Sequence, residues 1–487
     1  MRKKWPGRIF GIETEFGCLV LDDELGTAES VVDAIKDHIF LEQRLGLIDL
    51  HSRDEVFEPS HSGGFLMNGS RLYVDAVGSH LEYATAECLD LKSIITNDRA
   101  GHRIISHALE QMDLVGRVKL FNNSVDHFGG QTFGTHENYL VHMTEDFFTD
   151  RVPHLYSFLV TRQIFAGTGR VGGHILGEKD NLPTVGQIRQ NPIDNIWVSA
   201  VYGVGLDDSI PFQLSQRADH ILKPVASRVR FNRALINPKW EHFYSHNDQQ
   251  RFHLLFGESN MMEFAYALKV GTTSLVLRLI EEGHSFPDQM LVDPIETLRS
   301  VSRDQSWKWP VETVSGEHET AIGIQRKFLE ACKKYGGESA EIDWILEHWA
   351  STLDALEIDP LKLYDRLDWV AKYKMLSEFR KSEGLEWSDP YLHSLDMEYH
   401  NINAKEGLYY ALQSMGDVQR ITSELDVIDA MTDPPSNTRA NARSQAIKKI
   451  MSGKKLIPYM IDWSGIAIGR SEYIDLEDPF NPNLPEG

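Results

Sequence analysis

The sequence has few cysteines and contains no long apolar run. Cysteine occurs only at positions 18, 88 and 332, too sparsely for a disulfide scaffold or a thiolate zinc site. We therefore expect a reducing, cytoplasmic environment. No stretch of about 18 apolar residues occurs, and the N-terminal MRKKWPGRIFG lacks the apolar core of a secretory signal. The sequence predicts that the protein neither crosses nor is sent through a membrane.

The sequence also has fewer basic than acidic residues. The chain has 49 Lys and Arg residues against 72 Asp and Glu residues, which gives a formal net charge of −23. Phosphate-rich partners require a cationic surface, so this balance argues against nucleic acid or an anionic membrane as the principal partner. An anionic ligand would have to be bound by a local basic patch or through metal ions.

The length predicts more than one folding unit, because 487 residues exceed what one compact core usually holds. Short aromatic and β-branched runs make the first 160 residues strand-rich, whereas apolar residues at helical spacing dominate from Met261 onward. We predict a large domain over residues 1–415 and a small C-terminal domain over 416–487. Residues 172–210 lack periodicity and are interpreted as a long surface insertion.

The first predicted strand carries an unusual motif, GIETEFG, at residues 11–17. Side chains alternate between the faces of a strand, so Glu13 and Glu15 should share one face about 7 Å apart. Two such carboxylates repel each other unless water or cations separate them, and Mg²⁺ prefers oxygen ligands. A solvated sheet face is the alternative.

A second polar strand is predicted in NGSRLYVDAVGSHLEYATAEC, residues 68–88. The same alternation places Arg71, Tyr73 and Asp75 on one face, and Glu82 follows. A face built from these residues and the first two glutamates is too polar for a core. A guanidinium among carboxylates suits a phosphate bridged by metal ions.

A third strand is predicted in GTHENYLVHM, residues 134–143, with His136 and Asn138 on one face and Glu137 on the other. The second histidine, His142, comes too late for an HExxH zinc motif. His136 alone could be a structural histidine, but its polar neighbours favour a functional role. We include Glu137 with Glu15 among the metal ligands on physical grounds.

Two further patterns have competing interpretations. GTGRVG at residues 167–172 matches the dinucleotide fingerprint G-x-G-x-x-G, but no clear strand precedes it and no helix follows it. The run from Asn437 to Ile461 has no acidic residue and contains six basic ones, namely Arg439, Arg443, Lys448, Lys449, Lys454 and Lys455. It is either the solvated face of a helix or a contact for nucleotide phosphate or an acidic protein.

The ordered motifs GIETEFG, NGSRLYVD, GSHLEYATAEC, GTHENYL, LSQRADHI and PPSNTRA resemble the family of the Pup ligase PafA and the depupylase Dop. That family is related to the glutamine synthetase-like carboxylate-amine ligases. The resemblance implies an α+β fold, in which a curved, mainly antiparallel sheet is backed by helices and a small C-terminal α/β domain closes one side. It also implies ATP and Mg²⁺ as cofactors.

Carried over by motif, the resemblance assigns roles to individual positions. Glu13, Tyr73 and Glu82 match metal-binding positions, and Asp75 matches the catalytic aspartate. Arg71 and Thr85 match ATP contacts, and Trp463 matches a nucleotide contact from the C-terminal domain.

The implied reaction joins a small Pup-like protein modifier to lysine-bearing target proteins. ATP would phosphorylate the side-chain carboxylate of the modifier's C-terminal glutamate, and a lysine amine, deprotonated by Asp75, would attack the acyl phosphate. The alternatives are a Dop-type depupylase or deamidase, which hydrolyses that bond or the modifier's terminal amide, and a small-molecule ligase. GIETEFG and the short stretch between Gly17 and Asn68 favour the ligase, whereas GTGRVG, FQLSQR and GLYYAL lean toward the depupylase.

The chain departs from the family pattern in three places. INPKWEHF at 236–243 replaces an INTRDEPHA-like stretch, residues 172–210 form an unusual insertion, and one extra residue separates Asp75 from GSH. These departures bear on the geometry of the site and on the identity of the modifier.

Overall fold

The structure is a computed structural model that describes residues 7–49, 63–75, 80–142, 147–176, 204–226, 233–238, 249–316, 318–453 and 457–484. The strands are β1 (Phe10–Val20), β2 (Gly46–Ile48), β3 (Gly63–Leu66), β4 (Arg71–Val74), β5 (Leu81–Ala84), β6 (Val118–Phe121), β7 (Thr135–His142), β8 (Arg170–Leu176), β9 (Val204–Gln213), β10 (Lys223–Val225), β11 (Ala234–Asn237), β12 (Gln249–Leu254), β13 (Pro310–Glu312), β14 (His318–Thr320), β15 (Tyr459–Ile461), β16 (Gly465–Ile468) and β17 (Glu472–Asp475).

The longer helices follow the predicted apolar periodicity, and most of the α-helices lie in the second half of the chain. They are α1 (Ala28–Asp37), α2 (Leu91–Gln111), α3 (Tyr156–Thr161), α4 (Gln163–Ala166), α5 (Glu263–Glu281), α6 (Pro294–Arg303), α7 (Ala321–Cys332), α8 (Ala340–Ile358), α9 (Asp368–Glu383), α10 (Pro390–Tyr399), α11 (Leu408–Ser414), α12 (Glu424–Asp429) and α13 (Arg439–Ser452).

One large sheet organises the molecule. Its strand order is β10-β11-β12-β7-β1-β5-β4-β3-β2, and β6 pairs with the C-terminal half of β1. All of these pairs are antiparallel except β10 with β11. The predicted mixed fold with a mainly antiparallel sheet is therefore confirmed.

The two faces of the sheet differ because polar and apolar residues alternate along its central strands. On β1, Phe10 and Ile12 point into the main apolar cluster, where they join Tyr139 of β7 and buried side chains of α2 and α5. Glu13 and Glu15 take the other face. Helices therefore cover one face and leave the face of the glutamates available for a site.

The segment that matches a dinucleotide fingerprint has the wrong architecture for one. Helix α4 precedes it and strand β8 follows it, whereas the fingerprint requires a strand followed by a helix. The prediction that residues 172–210 are irregular was wrong at both ends of that range, where β8 and β9 pair as antiparallel strands. The central part of that insertion lies outside the described residues.

A small C-terminal unit packs against one edge of the large sheet. Helix α13 and the three-stranded sheet β15-β16-β17 bury Ala446, Ile447 and Ile466 together with Leu47 of β2 and Phe65 of β3. The predicted domain boundary after residue 415 stays a prediction. In the described part of the chain no helix is both long and apolar enough to span a bilayer, and the three cysteines are free thiols.

Candidate active site

Three neighbouring strands bring most of the predicted site residues together. The register pairs Glu15 of β1 with Glu82 of β5, and Glu82 with Tyr73 of β4. In the next row, Glu13 pairs with Ala84, and Ala84 pairs with Arg71. Residues opposite each other in an antiparallel sheet share a face, so these side chains form one polar surface. We call it the carboxylate face.

Strands β7 and β12 extend the carboxylate face on the other side of β1. His136 lies opposite Glu13, and its Nδ1 is 3.1 Å from Glu13 Oε2. Asn138 Nδ2 donates to Glu13 Oε1 at 3.2 Å, and Arg251 donates to the same oxygen at 3.0 Å. His253 Nε2 lies 3.6 Å from Glu13 Oε2. Glu13 is thus surrounded by nitrogen donors.

Two of these residues, Arg251 and His253, were missed by the sequence reasoning. The signal was present, because QQRFHL of β12 alternates Gln, Arg and His on one face with Phe and Leu on the other. What the sequence lacked was a reason to place this strand beside β7.

Glu13, His136 and His253 form a candidate metal centre. One carboxylate oxygen and two imidazole nitrogens lie within 4.8 Å of one another. Burial alone would raise the pKa of Glu13, but the hydrogen bond with His136 and the nearby charges of His253 and Arg251 hold that pKa well below its usual range. Imidazole and carboxylate together suit ions such as Mn²⁺, and the additional carboxylates nearby suit Mg²⁺.

The pKa values of the neighbouring carboxylates Glu15 and Glu82 are shifted in opposite directions. Burial would raise the pKa of Glu15, but a hydrogen bond with His80 at 3.0 Å and the charges of His136 and His80 lower it to about 2. Glu82 shows the opposite shift: burial and then repulsion by Glu13, Glu15 and Asp75 raise its pKa well above the usual value. A cation among these groups would relieve that repulsion.

Asp75 lies at the end of the carboxylate face, directly after β4. It is half-buried, and its backbone N–H donates to the carbonyl of His80 at 2.8 Å. The charge of Asp75 contributes to the raised pKa of Glu82, so the two carboxylates belong to the same electrostatic environment. Tyr73 also has a raised pKa, owing to burial and then to Glu82 and Glu13.

A pocket that is open to solvent begins at Glu13 and extends to the C-terminal unit. Most of its lining surface is apolar, as is common in small-molecule sites. Thr85 lines the pocket, and its Oγ1 accepts a hydrogen bond from the N–H of Ile12 at 3.0 Å. Trp463 and Arg439 contribute from the C-terminal unit. Two predicted nucleotide contacts, Thr85 and Trp463, therefore meet at one cavity.

Arg71 lies on the carboxylate face but not in the lining of this pocket. Its guanidinium carbon is 4.3 Å from the ring centre of Tyr73, and one of its nitrogens is 3.5 Å from Asp49. It is buried beside Tyr73, and its charge lowers the pKa of that hydroxyl, against the larger effects of burial and Glu82.

Glu137 does not belong to the site, which corrects the metal role predicted for it. The alternation that brings His136 and Asn138 to the carboxylate face turns Glu137 toward the helices, where it is fully buried. Arg162 donates to its two oxygens at 2.9 and 2.5 Å, and the Tyr139 hydroxyl donates at 2.7 Å. Its charge is neutralised inside the core, and it is unavailable to a metal.

A comparison with protein families decides the relationship. The family model described as Pup-ligase protein matches residues 8–467. The chain belongs to the Pup ligase family. Pup ligase relatives named Pup--protein ligase from Sanguibacter keddieii and Arthrobacter sp. are 34% and 33% identical to it, and each match covers 97% of this chain and 96% of the relative.

Solved structures of the Pup ligase PafA share the fold. The complex between the prokaryotic ubiquitin-like protein Pup and its ligase PafA superposes with a TM-score of 0.75 at 30% identity, covering 98% of this chain and 89% of that one. PafA in complex with ADP gives a TM-score of 0.71 at 30% identity, covering 93% and 91%. The curated relatives are named as ligases, so the depupylase alternative is not favoured.

Proposed function

We propose that this chain is an ATP-dependent ligase that joins the C-terminal glutamate side chain of a Pup-like modifier to lysines of target proteins. The observation that carries the proposal is the carboxylate face, which opens into a pocket lined by Thr85 and Trp463 in a chain of the Pup ligase family. The likeness to PafA bound to ADP and to Pup supports the nucleotide and the partner. We place the reaction in the cytoplasm, as the free cysteines suggest.

The first step transfers the γ-phosphoryl group of ATP to the modifier's carboxylate and releases ADP. Glu13, Glu15 and Glu82 would hold Mg²⁺, which when bound neutralises phosphate charge and polarises the transferring group. Arg251 lines the pocket beside Glu13, so its guanidinium can bind phosphoryl oxygens and hold the triphosphate in position. Trp463 and Thr85 would hold the nucleoside.

The second step forms the isopeptide bond and releases phosphate. A lysine ammonium is attracted to the carboxylate face, but it must lose a proton before its nitrogen can attack the acyl phosphate. Asp75 is half-buried at the end of this face and accepts that proton. The amine nitrogen then displaces phosphate from the carbonyl carbon.

The test is reconstitution with ATP, Mg²⁺, a Pup-like protein that ends in glutamate, and a lysine-bearing target. We expect conjugates of higher mass on a denaturing gel. Asp75→Asn should abolish conjugation while ADP binding, measured by calorimetry, stays near the wild-type value. The matched control Asp23→Asn alters an exposed aspartate just after β1 and should keep full activity.

Two results would contradict the proposal. Conjugation by Asp75→Asn at the wild-type rate would remove the assigned base. Breakdown of preformed conjugates without their formation would assign the chain to hydrolysis instead. Replacing Mg²⁺ with Mn²⁺ after chelation tests which ion the mixed oxygen and nitrogen donors prefer.

A further inference from the structure

Gly11 occupies an unusual position in the central strand of the sheet. It lies opposite Asn138 and two residues before Glu13, so it belongs to the same face as the carboxylates. It also lines the pocket that reaches the C-terminal unit. A glycine here leaves a gap in the row of side chains on that face.

The fold does not require a glycine at this position. Gly11 is not among the residues with a positive φ, so an L side chain could adopt its backbone conformation. A Cβ atom would meet its nearest neighbour, Thr85 Oγ1, at 3.4 Å and the next atoms at 3.9 Å, which are ordinary contacts. Glycine inside a strand is destabilising relative to alanine. The destabilising effect of Gly11 is explained if a ligand occupies the space that a side chain would fill.

The position of Gly11 in the pocket shows which part of the ligand would use this space. Glu13 marks the end where cations and phosphates would bind, and the strand rise puts Gly11 about 7 Å from it. On the side of Gly11 away from Glu13, the apolar residues Ile9 and Leu140 line the pocket. Trp463 and Pro479 add apolar surface from the C-terminal unit, where Arg439 and Glu477 also line the pocket. Apolar walls suit a base and sugar better than a triphosphate.

We propose that Gly11 forms the floor on which the nucleoside part of ATP lies. This inference rests on the proposed function, since it names the subsite that the nucleoside would occupy. A side chain at position 11 would project into that space, whereas the phosphates and cations bound near Glu13 would be unaffected.

Gly17, in the same strand, provides a matched control. It is also on β1, but a Cβ there would lie 3.0 Å from two ring carbons of Phe133. This contact is tighter than usual, so the buried ring must shift by a few tenths of an ångström to admit a methyl group, and we expect that shift to be destabilising. The same glycine-to-alanine change should therefore have opposite consequences at the two positions.

The experiment measures ADP affinity by calorimetry and thermal stability for Gly11→Ala, Gly11→Val and Gly17→Ala. We expect Gly11→Val to weaken ADP binding by about tenfold to a hundredfold, as overpacking of a fitted site does, and Gly11→Ala to weaken it less. Both should melt at or above the wild-type temperature. Gly17→Ala should melt lower and, below its transition, bind ADP normally. Inorganic tripolyphosphate with Mn²⁺ should bind equally to all four proteins.

The outcomes separate this inference from the function on which it rests. Wild-type affinity of Gly11→Val for ADP would overturn the inference alone. Equal losses of ADP and tripolyphosphate binding would also overturn it, because the floor would then lie under the phosphates. A wild-type protein that binds neither ADP nor tripolyphosphate would overturn the proposed function itself.

Discussion

Replacing Arg443 should destabilise the seam between the C-terminal unit and the large sheet. Its guanidinium is fully buried and donates to the carbonyl oxygens of Gly69 and Trp463 at 2.8 and 2.9 Å. It also makes two bonds to the Glu87 carboxylate, at 2.8 and 2.7 Å. The guanidinium carbon lies 4.8 Å from the Trp463 ring centre and 5.3 Å from that of Phe65. The Arg443 side chain thus connects the segments that carry Gly69, Glu87 and Trp463, beside the candidate nucleotide pocket.

The magnitude follows from what Arg443→Met leaves behind. Removing one partner of a buried ion pair costs about 3–5 kcal/mol, because the other charge stays buried. Here Glu87 keeps Arg439, whose Nε donates to it at 2.6 Å, so we expect a loss near the lower limit, about 3 kcal/mol. Trp463 also loses its positioning contact, and ADP affinity should fall with it.

Glu87 gives the same seam a defined pH dependence. Burial would raise the pKa of Glu87, but the charges of Arg443 and Arg439 lower it to about 2. Because this lies below the unfolded value of about 4.3, the stabilisation is fully present above about pH 4.3 and is lost as pH falls toward 2. In Arg443→Met the loss of stability between those pH values should be smaller.

Urea denaturation of the wild type, Arg443→Met, Glu87→Gln and the double variant measures the coupling. The double variant should be less destabilised than the sum of the single variants, because the interaction is lost only once. Lys448→Met is the control: it lies on the same helix, its partly exposed ion pair with Asp433 spans 3.1 Å, and its cost should be about 0–1 kcal/mol. Equal free energies of unfolding for Arg443→Met and Lys448→Met would refute the reasoning.

Two further predictions concern the two faces of the sheet. Glu13→Gln should weaken Mn²⁺ binding measured by calorimetry, because it removes the carboxylate that the candidate metal centre shares with two histidines; unchanged affinity would exclude Glu13 as a ligand. Arg162→Met should destabilise the protein by about 3–5 kcal/mol, because it leaves the buried Glu137 carboxylate without its ion-pair partner. Thermal denaturation measures this loss, and Glu137→Gln should leave Mn²⁺ affinity unchanged, whereas a decrease would restore Glu137 as a ligand.

Much of the carboxylate face could be predicted because it depends on strand alternation, a local property. The period of two placed Glu13 with Glu15 and Arg71 with Tyr73, and the structure has these pairs on one face. The same alternation places Glu137 and His136 on opposite faces of β7. The prediction of Glu137 as a metal ligand did not take this alternation into account. The correction was therefore available from the sequence.

The remaining features depend on which strands pair, and no local pattern encodes that. His253 reaches Glu13 only because β12 pairs with β7 and β7 with β1. The basic C-terminal run shows the same limit. Arg443 turns inward to Glu87, while Lys449 pairs with Glu472 at the surface, and the run alone does not distinguish the two.

Strand β1 explains why the site and the fold are specified together. Its apolar residues Phe10 and Ile12 are held by the helical core, and its alternate residues Gly11 and Glu13 face the pocket. A register shift of one residue would exchange the two sets, burying a carboxylate among apolar side chains at a cost of several kcal/mol. The core therefore fixes the register that the chemistry requires. The carboxylates, which repel one another, can remain adjacent only because the opposite face of the same strand is so firmly packed.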